Sequence, residues 1–276
     1  MTPSAFFRII EDMWNYFEPE ATRWYRWRLD GASAYVRKDG DEWRTVFLPS
    51  RFQDSTDDSG GPEAGSPPPD AASSFAVAHG GTVALRPRFG ERPYLILARN
   101  EVRIMAGAEA RFELALPALL RFELESGAVL GEAMPFLLSN TWFGDKTGGS
   151  LCWSLPTALD PRCAGESADS ADALGAAGKD RRSLVHSSIV VRNGSKAPME
   201  LKRLAVYTDL LNIYETADGL ATDPISVDGL ADGGLRMSVA EATLSDGRRL
   251  ISPARIGQRE MLVRRGVNFL RAVTGM

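Results

Sequence analysis

Histidine and cysteine are nearly missing from this chain: two of each stand among 276 residues. A catalytic zinc site usually draws on two or three imidazoles with carboxylate help, and a closed structural site draws on several thiolates. His79 and His186 lie in separate regions, and Cys152 and Cys163 belong to no CxxC pair, so no metal is expected. No local signature joins either cysteine to either histidine for thiol catalysis. Both cysteines read as reduced thiols, and no disulfide framework is expected. Excess positive charge is lacking too. With 32 Lys and Arg against 36 Asp and Glu, the net charge is -4, and nothing drives binding to a phosphate backbone, so nucleic acid is not an expected partner. Long apolar runs are the third absence. No window approaches the ~20 apolar residues that a transmembrane helix needs. The opening MTPSAFFRIIEDMW has no basic start, and Glu11 and Asp12 interrupt its one apolar run, unlike a secretory leader. The expectation is a cytoplasmic protein that meets membranes only through a partner or a peripheral contact.

What is present is a strand-rich pattern. The composition, 44% hydrophobic and 25% charged, suits one large β domain or two small ones. Thr2 can cap a short helix with Pro3 in its first turn; Phe6, Ile10, Met13 and Phe17 share one face, and Pro19 ends it. After it the period changes to short apolar runs split by "DGA" and "KDGDE", which predicts strands at 22–29, 33–38 and 42–48 in a meander. Residues 1–52 thus form a helix and a meander. Residues 53–74, rich in Pro, Gly, Ser and Asp and free of aromatic residues and of Ile, Leu and Val, read as a flexible loop that cannot bury enough apolar surface to order itself.

Residues 75–160 form a first β block, in which "ARFELALP" places Phe112, Leu114 and Leu116 on one face and Arg111, Glu113 and Ala115 on the other. Leu119 to Leu124 reads as a strand between Pro117 and Gly127. A linker at 161–182 precedes a second β block at 183–258, where Asn193-Gly194 reads as a hairpin turn and a change of phase between Leu201 and Leu204 reads as a bulge. Residues 259–276 return to helical spacing. Leu262 and Phe269 lie on an apolar stripe, with Arg264, Arg265 and Arg271 beside it. The predicted fold is mainly β: an antiparallel β-sandwich of one or two blocks with short amphipathic helices at both ends.

The stretch "NTWFGDKTGGSLCW" at 140–153 resembles a phosphate loop in composition but not in order. Lys146-Thr147 precede Gly148-Gly149, and "SLCWSLP" behind them reads as a strand where a P-loop needs a helix. A glycine-rich hairpin loop, with Asp145 bonding locally, is one reading. The other is a contact site for a ligand or partner built from Trp142, Phe143, Asp145, Lys146, Thr147 and Trp153. The C-terminal stripe has two readings as well: docking on the β core, or contact with an anionic membrane or a partner groove through Leu262, Arg264, Arg265, Phe269 and Arg271. Alternating Glu123 and Glu125 read as a solvated strand face. No residue is assigned as catalytic, and no cofactor is expected.

Three pieces, "NTWFGDKTGGSLCWSLPT" at 140–157, "IVVRNGSKAPMELKRLAVYTDLLNIYE" at 189–215 and "LATDPISVDG" at 220–229, resemble a prokaryotic family of uncharacterised proteins, domain of unknown function 432. The chain departs from that pattern at Thr222-Asp223, where the family has a Trp-Thr pair, and in the insert at 164–182. The resemblance implies a β-rich cytoplasmic protein without an established activity. It also implies an accessory or regulatory role at a membrane channel of the mechanosensitive type. The functional expectation is therefore a non-enzymatic interaction protein. The alternative is a β-sandwich module that binds a small ligand or carbohydrate on Trp142 and Trp153.

Overall fold

Asp30 and Gly31 both take positive φ, 51° and 81°, the backbone that a two-residue type I′ turn requires. This turn folds β1 (Trp24–Leu29) onto β2 (Ala32–Asp39), and a second turn at Gly40-Asp41 adds β3 (Glu42–Leu48). The three meander strands fall where the turn residues predict them. The computed structural model describes residues 13–51, 61–77, 81–144, 149–159, 182–229, 235–239 and 247–256. The part of the predicted N-terminal helix before Met13 lies outside the described residues. Contrary to expectation the helix does not reach Phe17, because Phe17 exchanges backbone hydrogen bonds with Val83 in an antiparallel bridge. The C-terminal helix at 259–276 lies outside the described residues.

Two short strands, β4 (Glu63–Gly65) and β5 (Ser73–Ala76), pair with β1 and β3 and extend the meander to the order β4-β1-β2-β3-β5. Both draw on the segment expected to be a loop. Edge pairing needs only backbone N–H and C=O groups, and apart from Phe75, which packs partly buried against the core, the side chains of these strands remain exposed, so their polar sequence is no obstacle.

The rest of the chain supplies β6 (Val83–Arg88), β7 (Tyr94–Ile104), β8 (Glu109–Pro117), β9 (Leu119–Leu124), β10 (Val129–Ala133), β11 (Ser139–Phe143) and β12 (Ser150–Leu159). After these come β13 (Leu184–Asn193), β14 (Met199–Val206), β15 (Ile213–Thr216), β16 (Gly219–Thr222), β17 (Ile225–Gly229), β18 (Leu235–Val239) and β19 (Arg249–Ser252). They form a sheet β10-β9-β6, a sheet β11-β12-β7-β14, and a larger sheet centred on β13. The fold is mainly β, and most pairings are antiparallel. The exceptions are β12 with β7 and β13 with β16 and β17, which run parallel.

Alternation along β8 is as the sequence predicts: Phe112, Leu114 and Leu116 are buried, whereas Arg111 is exposed. Ala115 is buried as well, against Phe136 and Leu184 on the other side of the strand. The meander meets the β10-β9-β6 sheet through rings. Trp27 and Phe47 each lie 5.2 Å from Phe122 in centroid distance, the first edge-on, an arrangement that favours the ring quadrupoles. Buried residues from Met13 to Ile251 form one continuous apolar cluster.

Asn193-Gly194 is not a hairpin turn. β13 ends at Asn193, and β14 pairs with β7 in a different sheet, because both edges of β13 are already occupied. The Asn193 Nδ2 donates to the carbonyls of Ile104 and Ala197, both at 2.8 Å, and its Oδ1 accepts from the Ser195 N–H and hydroxyl. Gly194 passes so close to the Gly229 carbonyl that a Cβ would stand 2.8 Å from its oxygen. The predicted phase change in β14 is real. The register shifts between Leu201 and Arg203, where β7 advances from Val102 to Leu97 and so holds the extra residues.

Asp30 reaches beyond its own turn. It is fully buried, and its Oδ2 accepts from the Ser183 N–H at 2.8 Å and from the Ser183 hydroxyl, just ahead of β13. Its carbonyl accepts from the Ser50 hydroxyl at 2.8 Å. Asp30→Ala is expected to lower the urea unfolding free energy by about 2–4 kcal/mol, from the lost acceptor and the left-handed backbone. Asp30→Asn, which tolerates positive φ and keeps a side-chain oxygen, should lose less than half as much; equal losses for the two would contradict this role.

Candidate functional site

The 140–153 stretch folds as the hairpin that its residue order predicts. β11 and β12 pair from Ser139↔Ser154 to Phe143↔Ser150, and a strand, not a helix, follows the loop. β12 thus stands where a P-loop requires a helix, which excludes the P-loop arrangement. Asp145, Lys146 and Thr147 lie outside the described residues.

Strand alternation divides the aromatic residues. Phe143 is fully buried, with the Arg203 guanidinium 4.8 Å from its ring centre. Trp142 points the opposite way, 53% exposed, beside its cross-strand partner Leu151, which is 43% exposed. Trp153 shares that face diagonally, as a partner of Asn140. Cys152, between them, is buried; its Sγ lies 3.5 Å from the Ser150 carbonyl, and burial pushes its thiol up to about 11. A thiol held protonated in this way is a poor nucleophile.

Trp153 forms one wall of an open groove of about 600 Å³. Its ring lies 5.3 Å from that of Tyr94, and the Arg92 guanidinium stands 5.2 Å from its centre. Arg92 also donates to Asn140 Oδ1, which holds the cation over the ring. Tyr94 is wholly buried and donates its hydroxyl to the Pro117 carbonyl at 2.6 Å; burial raises its phenol well above the ordinary value. On the far side Arg255 pairs with Glu132 and donates Nε to the Phe89 carbonyl. Gly90 makes the close approach possible, since a Cβ there would stand 2.6 Å from Trp153 Cη2.

The structure thus brings Trp153 to a groove, sets Trp142 beside it outside the lining, and turns Phe143 into the core. Leu262, Arg264, Arg265, Phe269 and Arg271 lie outside the described residues. Glu123 is paired with Arg121 at 2.6 Å, and Glu125 accepts from Thr82 at 2.7 Å. His186 sits on β13 opposite Ala115, in a different sheet from Cys152. Among the described residues no group of three or more His, Cys, Asp or Glu side chains could hold a metal ion. Sequence reasoning missed Gly90, Arg92, Glu132 and Arg255. A signal existed in "RPRFGERPY" at 86–94, where three arginines and two prolines crowd the passage between two strands.

Residues 13–270 match the family described as Protein of unknown function (DUF432), the family that the WFGD stretch resembles. Comparison with curated proteins and with solved structures gave no match.

The Gly90 contact makes a specific expectation. Gly90→Val should displace the Trp153 ring and alter the near-ultraviolet circular dichroism and tryptophan emission, while the far-ultraviolet β signal is kept. Trp153→Leu in the same background should remove most of the difference; an unchanged near-ultraviolet spectrum in Gly90→Val would show that the ring does not rest on this glycine.

Proposed function

The chain belongs to the DUF432 family, and for it we propose a non-enzymatic binding role: a cytoplasmic β-sandwich with amphipathic ends that engages a partner protein through the outer face of the β11–β12 hairpin. The observation that carries this reading is the cross-strand pair Trp142 and Leu151, two large apolar side chains each about half exposed side by side. Tryptophan is over-represented among interface residues whose loss costs most binding energy. Leu137, 63% exposed just before β11, adds apolar surface on the approach to the hairpin. Arg92 supplies a polar rim.

The buried, protonated Cys152 thiol and the partnered Glu123 and Glu125 support binding over catalysis. The partner implied by the family resemblance is a membrane channel of the mechanosensitive type, with this chain as its accessory or regulatory subunit. Among the described residues no helix is long and apolar enough to cross a membrane, so on this reading the contact is made through a surface. The basic stripe of Leu262, Arg264, Arg265, Phe269 and Arg271 is a second proposed contact. The groove beside Trp153 favours a second reading, in which a small ligand or carbohydrate is bound there.

Affinity purification of the tagged full-length chain from native membrane and soluble fractions tests the proposal. An integral membrane protein should co-purify, and its recovery should fall at least ~10-fold in Trp142→Ser/Leu151→Ser, as expected when an interface anchor is lost. Removal of 259–276 should also reduce recovery while leaving the β circular dichroism intact. A chain that emerges alone, or recovery unaffected by the hairpin substitutions, would overturn the reading.

A further inference from the structure

Arg86 and Arg88 occupy alternate positions on β6 and so project from the same face of the β10-β9-β6 sheet. The ladder sets Arg121 directly opposite Arg86, and Glu132 directly opposite Arg121. Like charges placed opposite each other repel, so each cation on this face needs an outlet.

Most have one. Arg86 lies 4.8 Å from the centre of the Tyr16 ring, Arg121 donates to Glu123, and Arg255 pairs with Glu132. Arg88 has no carboxylate partner among the described residues. Its Nε is buried without a hydrogen-bond partner, and so is the Nε of Arg121. Burial first, then the charges of Arg121 and Arg255, lowers the Arg88 guanidinium below its ordinary value; the opposing effects of Glu132 and Glu123 come after these. Positive charge at Arg88 is therefore under-compensated.

This cluster adjoins the groove, although Arg88 and Arg121 are not among its lining residues. Arg255 and Glu132 line it, as does Leu119, the ladder partner of Arg88. Arg92 lines it too, and its partners are a neutral amide and an aromatic ring. Glu91 also lines the groove, from an exposed position. Arg92 in the lining and Arg88 behind it, two cations without a carboxylate partner, together with an aromatic wall, complement a dianion attached to an organic body. Guanidinium forks match the oxygens of a phosphate in two-point contacts. A groove of about 600 Å³ has the size usual for small-molecule sites.

We propose that this groove binds a small, soluble phosphate ester. Arg255 and Arg92 meet the phosphate from the groove wall, the under-compensated charge of Arg88 behind Leu119 adds to its attraction, and Trp153 flanks the organic part. The site adjoins the partner surface and shares Leu151 with it, while Trp142 lies outside the groove lining.

Isothermal titration calorimetry of the full-length chain with inorganic pyrophosphate, and separately with inorganic phosphate, tests this at ionic strength matched with potassium chloride. Saturable binding is expected. It should weaken at least ~10-fold in Arg88→Gln and less in Arg88→Lys, and it should be unchanged in Arg111→Gln, an exposed arginine on β8. Should Arg88→Gln fail to fold, the wild-type chain still decides the matter: pyrophosphate should raise its melting temperature above that in matched potassium chloride. Absence of saturable binding to both probes, an equal loss in Arg111→Gln, or no thermal shift beyond that of the salt would overturn the proposal.

Discussion

A strand in the middle of a sheet must satisfy backbone hydrogen bonds on both edges, and β13 meets this requirement with partners drawn from distant parts of the chain. One edge pairs with β8 through nine consecutive positions, from Leu184↔Pro117 to Arg192↔Glu109. The other edge is shared by β16 at one end and β17 at the other, both parallel. Val185, Ile189 and Val191 are fully buried. Each end is held by a side chain: Asp30 accepts from Ser183 ahead of the strand, and Asn193 ties its last residue to Ile104 and Ala197. With both edges used, the chain leaving Asn193 cannot turn back on β13. It crosses to β7 through the narrow passage between Gly194 and Gly229, and that crossing places β14 beside β7.

The candidate site depends on the same arrangement. β7 pairs with β14 on one edge and with β12 on the other, so Tyr94 and Trp153 come together, and Trp153 lies against Gly90. Polar contacts then fix the segment after β19 across the groove. Ser252 donates to the Pro87 carbonyl at 2.5 Å, Ala254 N–H donates to Asn212 Oδ1 at 2.9 Å, and Ile256 N–H donates to the Asp209 carbonyl. Asn212 is itself held by Asp223, which accepts from its N–H at 2.8 Å, from its amide at 2.9 Å and from the Tyr214 hydroxyl at 2.9 Å. Asp223 thus helps to position Arg255 opposite Trp153.

Local signals were legible in the sequence. Asp30-Gly31 announces a type I′ turn, the alternation in "ARFELALP" announces β8, and the order of Lys146-Thr147 before Gly148-Gly149 distinguishes a hairpin from a P-loop. The edge strand β4 was not legible, because backbone pairing leaves no mark in side-chain pattern, whereas β5 overlaps the strand-like run that begins at Phe75. Asn193-Gly194 misled for a different reason: the dipeptide reports a local bend, whereas the occupancy of β13's edges decides whether a hairpin can form. Of the site, the hairpin aromatics could be named, but which of them turned inward depended on register. The arginine cluster was the least legible part, since Arg88, Arg121 and Arg255 come from three separated segments and meet only once the sheets are assembled.

Native-state hydrogen exchange across a series of low denaturant concentrations tests the central place of β13 most directly. The account predicts that amides of residues 185–192 and of their partners at 110–116 exchange only through global unfolding, with the same denaturant dependence in both strands. Exchange of the β13 amides through a separate, lower-energy opening while the meander at 24–48 stays protected would contradict it.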